Sequence, residues 1–242
     1  GMFVTVWMAI LDLQTGLMKY ANAGHNPPLI RHTDGVFEYV KTRSGMVMAG
    51  MEGIKYKKNE MFLLPGDKVL LYTDGVTEAT ALNNELYSEA RLVNFVNSFE
   101  SNNAEDLCKK IKNDVDEFVG SAPQFDDITL LSLTLQCIRG SNHIVVVPNE
   151  NSRQLVNSFG EQLTLKLETV PKVASKINII IDEIYSNIVN YSKANLAEIG
   201  YSIENGKLVL SFIDNGLPYN PLETVEPDIT LSAVERDIGG LG

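Results

Sequence analysis

The sequence predicts an α+β protein made of two successive units. Three observations carry this expectation. Strand-like stretches with hairpin turns dominate the first eighty residues or so, two amphipathic helical stripes follow them, and a polar break at 138–142 precedes a second set of strands around one long isoleucine-faced helix. The division expected is 1–137, a linker at 138–142, and 143–242.

The elements follow in order. Phe3 to Asp12 is β-rich and ends at the turn Gln14-Thr15-Gly16, and Leu17 to Ala23 reads as the returning strand. Pro28 to Arg31 and Val36 to Val40, joined by Thr33-Asp34-Gly35, read as a second hairpin with an Asp-Gly turn. Pro65-Gly66-Asp67 opens a strand at Lys68 to Thr73. Leu92, Phe95, Val96 and Phe99 share one helix face, and Leu107, Ile111, Val115 and Phe118 share another. Asp127 to Gln136 reads as a strand. In the second unit, His143 to Val147 reads as a strand and a helix starts near Asn151. A long helix is expected from Pro171 to Tyr191, with Val173, Ile177, Ile180, Ile181, Ile184 and Ile188 as its buried face. The strands Leu196 to Ile203 and Leu208 to Ile213 then form a hairpin, and the remainder reads as loop up to Gly239-Gly240-Leu241-Gly242.

Composition excludes several classes of function. The 242 residues are 44% hydrophobic and 21% charged, as in a folded globular protein. No segment approaches the roughly 18 uninterrupted apolar residues of a membrane helix, and the N-terminus lacks the basic stretch of a signal peptide. A net charge of −11 opposes binding to a phosphate backbone, so no nucleic-acid partner is expected. Two distant cysteines, Cys108 and Cys137, suggest reduced thiols and a cytoplasmic location.

The first candidate constellation is acidic. An apolar strand delivers Asp74 to its C-terminal end, where Gly75 allows a sharp departure, and Asp126-Asp127 open a later strand. If these strands are neighbours, the carboxylates converge and suit Mg²⁺ or Mn²⁺, which prefer oxygen ligands and retained water. Taken alone, Thr73-Asp74-Gly75 is a plain turn and Asp126-Asp127 is solvated surface or a cap.

The motifs Asn22-Ala23-Gly24-His25-Asn26-Pro27-Pro28, Leu70 to Ala79, and Phe125-Asp126-Asp127-Ile128-Thr129 together, in this order, resemble the SpoIIE/RsbU-type branch of the PPM metallophosphatases. The resemblance covers Met2 to Gln136 and implies part of a phosphatase β-sandwich with flanking helices. It implies Mn²⁺ or Mg²⁺ held by Asp74 and Asp126, with Asp127 assisting, and hydrolysis of phosphoserine or phosphothreonine by metal-activated water. His25 reads first as a loop-packing residue and second as a general acid. The family's earlier ligand aspartates have no counterpart here, and Asp12 looks like a hairpin residue. Weak metal binding and slow hydrolysis are therefore expected.

The second constellation lies on the long helix, where Glu183 and Asn187 are four apart beside the isoleucine stripe. Alone they read as solvated polar positions. With Asp214-Asn215-Gly216 at a strand end and Gly239 to Gly242 beyond, the set resembles the GHKL (Bergerat-type) ATPase α/β sandwich in its anti-sigma serine-kinase branch, over His143 to Gly242. That resemblance implies Glu183 as the catalytic base and Asn187 as the Mg²⁺ ligand. Asp214 would sit at the adenine, with Gly216 giving the base room, and Gly239, Gly240 and Gly242 would wrap the phosphates of ATP. The family continues past this glycine box, so the implied module is partial.

Together the resemblances imply a bacterial partner-switching regulator. Its phosphatase and kinase-like modules would act on a STAS-domain anti-anti-sigma protein, and the kinase-like half could also hold a sigma factor. The alternative is a catalytically inert fragment that binds partners or homodimerises through exposed half-domains.

Overall fold

The computed structural model describes residues 3–33, 35–41, 45–101, 103–124 and 126–218. Asp34, Phe125 and the glycines at 239, 240 and 242 lie outside the described residues. The chain separates into two compact units, Gly1–Leu135 and Gln136–Gly242.

The first unit holds two antiparallel sheets. One has the order β1-β2-β5, from Val6–Leu11, Leu17–Ala23 and Asn59–Phe62. The other has the order β4-β3-β6-β7, from Glu38–Tyr39, Leu29–Arg31, Lys68–Tyr72 and Leu130–Thr134. Three helices, α1 (Asp74–Thr77), α2 (Ser88–Val96) and α3 (Ala104–Val119), complete the unit. Leu29, Leu70 and Tyr72 from the second sheet share one buried cluster with Val76, Leu92 and Val96 and with Leu107, Ile111 and Val115. The fourfold spacing of the last three sets one face of α3 on the sheet. Asn103 caps α3 by accepting the Asp106 N–H at 2.8 Å, and Gly120 ends it at φ 61°.

Among the described residues, the second unit has one antiparallel sheet, β11-β10-β9-β8, from Lys207–Asp214, Ala197–Glu204, His143–Val146 and Cys137–Arg139. It carries two helices, α4 (Glu150–Lys166) and α5 (Pro171–Asn187). Ile144, Val146, Ala197 and Ile199 meet Val156, Phe159 and Leu163 of α4 and Ile177, Ile181 and Tyr185 of α5 in its core. The helices approach closely at Gly160, where a Cβ would lie 2.7 Å from the Asn178 side chain.

Several expectations need correction. The segment read as a linker, 138–142, is not one throughout: Ile138 and Arg139 belong to β8 and pair with Val145 and Ile144. An Ile-Arg pair is a serviceable edge strand, and the polar residues that follow make only the turn. The long helix ends at Asn187 and passes into a π-helical turn, Ile188–Ser192. Its buried face omits Val173 and Ile180, which are 44% and 46% exposed, and includes Tyr185 instead. With isoleucines at 179, 180 and 181, composition offers three adjacent candidates and the 3.6-residue period admits only one to the core. The strand expected from Asp127 starts at Leu130, and of Val36 to Val40 only Glu38–Tyr39 pairs. Among the described residues, no helix is long and apolar enough to cross a membrane. Cys108 and Cys137 are free thiols.

Candidate functional site

In the first unit the site begins where β6 ends. Val69, Leu70 and Tyr72 anchor β6 in the interior, so the chain emerges at Thr73 with its backbone still extended, φ −86° and ψ 159°. Asp74 then opens α1, exposed to solvent, and its Oδ1 accepts the Gly75 N–H at 3.0 Å. The neighbouring strand β7 pairs Leu130 with Tyr72. One residue further on, the Thr73 N–H donates to the Thr129 carbonyl at 3.1 Å. The Thr73 hydroxyl donates to the Asp127 carbonyl at 2.9 Å and accepts the Thr129 N–H at 2.9 Å.

Gly75 makes the approach possible. A Cβ at this position would lie 2.5 Å from the Asp127 carbonyl oxygen and 3.3 Å from that of Asp126. Only glycine lets the two backbones meet without displacement. The segment is tied again from its other side: the Gln124 amide donates to the Asp126 carbonyl at 2.8 Å, and Asp126 Oδ1 accepts the Asp127 N–H at 2.7 Å. Residues more than fifty positions apart in sequence are thus fixed side by side at one end of a strand pair.

Asp74, Asp126 and Asp127 are all exposed. Among the described residues, no lysine, arginine or histidine forms an ion pair with any of them. Exposed carboxylates without a cationic partner, on backbone segments held close together, leave a cation as the favourable neighbour. This donor set fits Mg²⁺ or Mn²⁺, which are held by one or two carboxylates with water completing the shell. Among the described residues, no three His, Cys, Asp or Glu side chains form a ready-made metal cage.

His25 lies in a loop stitched by Asn22. The Asn22 side chain accepts the His25 N–H and donates to the His25 carbonyl, each at 2.8 Å, and the imidazole Nδ1 faces Thr5 Oγ1 at 3.3 Å. These are the bonds of a loop-packing residue.

In the second unit Glu183 and Asn187 are both exposed on α5, clear of the Ile177–Ile181–Tyr185 core face. The Arg153 guanidinium ties α4 to this stretch of α5 through Asp182 at 2.8 Å and Ser186 at 2.9 Å. Its hydrogen bonds to Glu150 and then to Asp182 push its already high pKa upward. Asn187 directly precedes the π-helical turn, an irregularity often found at functional sites. Asp214 closes β11 and accepts the Gly216 N–H at 2.8 Å. Gly216 presses on that turn, since a Cβ there would lie 2.2 Å from the Ser192 carbonyl oxygen. The Leu217 N–H donates to the same oxygen at 2.6 Å, and Asn215 Oδ1 accepts the N–H groups of Asn195 and Leu196, each at 3.0 Å. The Asp214–Gly216 loop is therefore docked on the segment leaving α5.

The supporting residues Thr73, Gln124, Ser192 and Asn215 escaped the sequence reading. Thr73, Gln124 and Asn215 sit in or beside a recognised motif, but the bonding partners of Thr73, Ser192 and Asn215 lie far away in sequence, where local pattern does not reach.

Comparison with known proteins adds the following. Residues 1–136 match the family model of Stage II sporulation protein E (SpoIIE). Protein IcfG of Synechocystis is 30% identical over 133 residues, covering 55% of this chain and 21% of that protein. Phosphoserine phosphatase RsbU of Bacillus subtilis is 28% identical over 134 residues, covering 55% of this chain and 39% of that protein. The chain thus spans well under half the length of either relative. Among solved structures, the RsbU and RsbW domains of Rv1364c from Mycobacterium tuberculosis superpose with a TM-score of 0.46 at 23% identity, covering 88% of this chain and 61% of that one. The phosphatase domain of SpoIIE from Bacillus subtilis gives 0.43 at 18% identity, covering 54% and 58%.

Proposed function

The chain belongs to the SpoIIE family through residues 1–136, and from that membership we propose that its first unit removes phosphate from phosphoserine or phosphothreonine on a partner protein. The observation that carries the reading is the forced proximity of Asp74 to Asp126 and Asp127, with Gly75 against the Asp127 carbonyl. Asp74 and Asp126 would hold Mn²⁺ or Mg²⁺, with Asp127 assisting. When bound, such ions supply an activated water and neutralise phosphoryl oxygens. The chain's own part would be to hold the backbone beneath these carboxylates in place through Thr73, Gly75 and Gln124.

In the second unit the proposed ligand is ATP with Mg²⁺. Glu183 would act as base, Asn187 as the metal ligand, and Asp214 as the adenine acceptor beside Gly216. Gly239, Gly240 and Gly242 complete the proposal from outside the described residues. Docking of the Asp214 loop on the segment that follows Asn187 supports this reading. The protein substrate proposed for both activities is a STAS-type anti-anti-sigma protein, with a sigma factor as a second partner of the kinase-like unit.

One observation favours a second reading, a binding or dimerising module without turnover. Met8, Ile10 and Phe62 are 62%, 69% and 63% exposed on the β1-β2-β5 sheet, an apolar surface suited to a partner. Calorimetric titration separates the readings. Mn²⁺ uptake that disappears in Asp74→Asn, and uptake of a non-hydrolysable ATP analogue that disappears in Asn187→Ala, support the two enzymatic assignments. Absence of both leaves the binding module.

A further inference from the structure

Thr73 stands at the N-cap of α1 with the extended backbone that position requires, yet its side chain makes no capping bond to the helix. A threonine there ordinarily accepts an N–H from the first turn and stabilises the helix by about 1 kcal/mol. Here the hydroxyl is turned the other way. It spans to the segment that leads into β7, donating to the Asp127 carbonyl and accepting the Thr129 N–H, both at 2.9 Å. Its single proton and one lone pair are both used on residues 54 and 56 positions away. With the Thr73 N–H on the Thr129 carbonyl, three hydrogen bonds join one residue to the segment carrying Asp126 and Asp127.

We propose that Thr73 is a positioning residue for the metal-binding carboxylates, a hydroxyl clip that gives up its capping role to hold Asp126 and Asp127 beside Asp74. The inference rests on the reading of those three aspartates as ligands. The clip acts below the last paired residues of the β6–β7 ladder, Tyr72 and Leu130, where the backbone would otherwise be free to splay. Gly75 removes the steric barrier to the approach, and Thr73 supplies the attraction. Groups that orient ligands in this way typically alter metal affinity by about 10–100-fold when removed.

The test uses the full chain with Thr73→Val, which keeps shape and β-branching but loses the hydroxyl, and Thr73→Ser, which keeps the hydroxyl. Two readouts are taken: Mn²⁺ affinity by calorimetry and, without metal, hydrogen exchange at the Thr129 amide. Thr73→Val is expected to weaken Mn²⁺ binding at least about tenfold and to speed Thr129 exchange relative to the Leu70 amide within β6. Thr73→Ser should stay within about twofold of wild type on both. Unchanged Mn²⁺ affinity in Thr73→Val overturns the proposal while leaving the aspartate assignment standing. A wild-type chain that takes up no Mn²⁺ overturns the aspartate assignment and this proposal with it. Should Thr73→Val fail to fold, the wild type still decides: a Thr129 amide exchanging as fast as an exposed loop amide overturns the clip.

Discussion

Replacing Gly75 with alanine sets two physical effects against each other. The residue is helical, and an alanine in a helix is favoured over glycine by about 0.8–1.0 kcal/mol. By that rule Gly75→Ala stabilises the chain. The new Cβ, however, would lie 2.5 Å from the Asp127 carbonyl oxygen and 2.9 Å from its carbon, whereas ordinary contact begins at 3.4 Å. The obstructing atoms are backbone, so the 126–127 segment has to retreat by about 0.9 Å against the Thr73 and Gln124 hydrogen bonds. Overpacking of this kind costs about 1–3 kcal/mol, which outweighs the helical gain over most of its range. The effect on metal should be larger than the effect on stability, because ligand distances tolerate only about 0.2 Å. The expected result is a net loss of about 1 kcal/mol in urea unfolding with Mn²⁺ affinity reduced at least about tenfold in calorimetry. A Gly75→Ala chain that is more stable by about 1 kcal/mol and binds Mn²⁺ as wild type does would show that Asp74 and Asp127 are not held together as described.

Three further outcomes are expected. Asp67 is 1% exposed and its carboxylate accepts the N–H groups of Leu64 and Thr33 and the Thr33 hydroxyl, with His32 Nδ1 at 2.7 Å. Asp67→Ala should therefore cost about 2–4 kcal/mol in urea unfolding, and a loss below about 0.5 kcal/mol would refute the structural role. Burial pushes the Tyr72 phenol up from 10.0 to about 12, so its contribution to stability is complete below pH 10 and is lost as pH rises from there towards 12. Stability should fall by up to about 1.4 kcal/mol per pH unit in that window for this group, and Tyr72→Phe should reduce the slope. Gly216→Ala, whose Cβ would meet the Ser192 carbonyl at 2.2 Å, should free the Asp214 loop and accelerate exchange of the Leu196 amide that Asn215 holds. Unaltered exchange would refute the docking.

Local signals and distant ones fared differently in the sequence. The α3 stripe of Leu107, Ile111 and Val115 was legible because its spacing alone specifies one face. The strand β5, Asn-Glu-Met-Phe, was not, since nothing in four such residues distinguishes an edge strand from a loop. On α5 the choice among Ile179, Ile180 and Ile181 depended on where the sheet lay, which no local pattern records. At the first site, the residue types at 74, 126 and 127 were readable as cation ligands. Their proximity depended on β6 pairing with β7, a contact more than fifty residues long in sequence. The outward turn of the Thr73 hydroxyl was illegible for the same reason. A threonine before a helix reads as a cap until its distant partners are known.

The two units reach a similar local solution against different neighbouring segments. In each, an aspartate lies at or just beyond a strand end, and a glycine one or two residues later lies against a carbonyl that a Cβ would strike, at Asp127 in the first and Ser192 in the second. In each, a polar side chain beside the glycine bonds backbone across the gap, Thr73 to residues 127 and 129 and Asn215 to residues 195 and 196. What differs is the segment brought in. The first unit draws in a second acidic segment, Asp126-Asp127. The second draws in the segment that leaves α5, which is tied to the Asp214 loop through the Ser192 carbonyl and the N–H groups of Asn195 and Leu196. The glycine contact therefore explains only why each loop lies where it does. The segment on its far side is what distinguishes them, an acidic pair in the first unit and the turn that leaves α5 in the second.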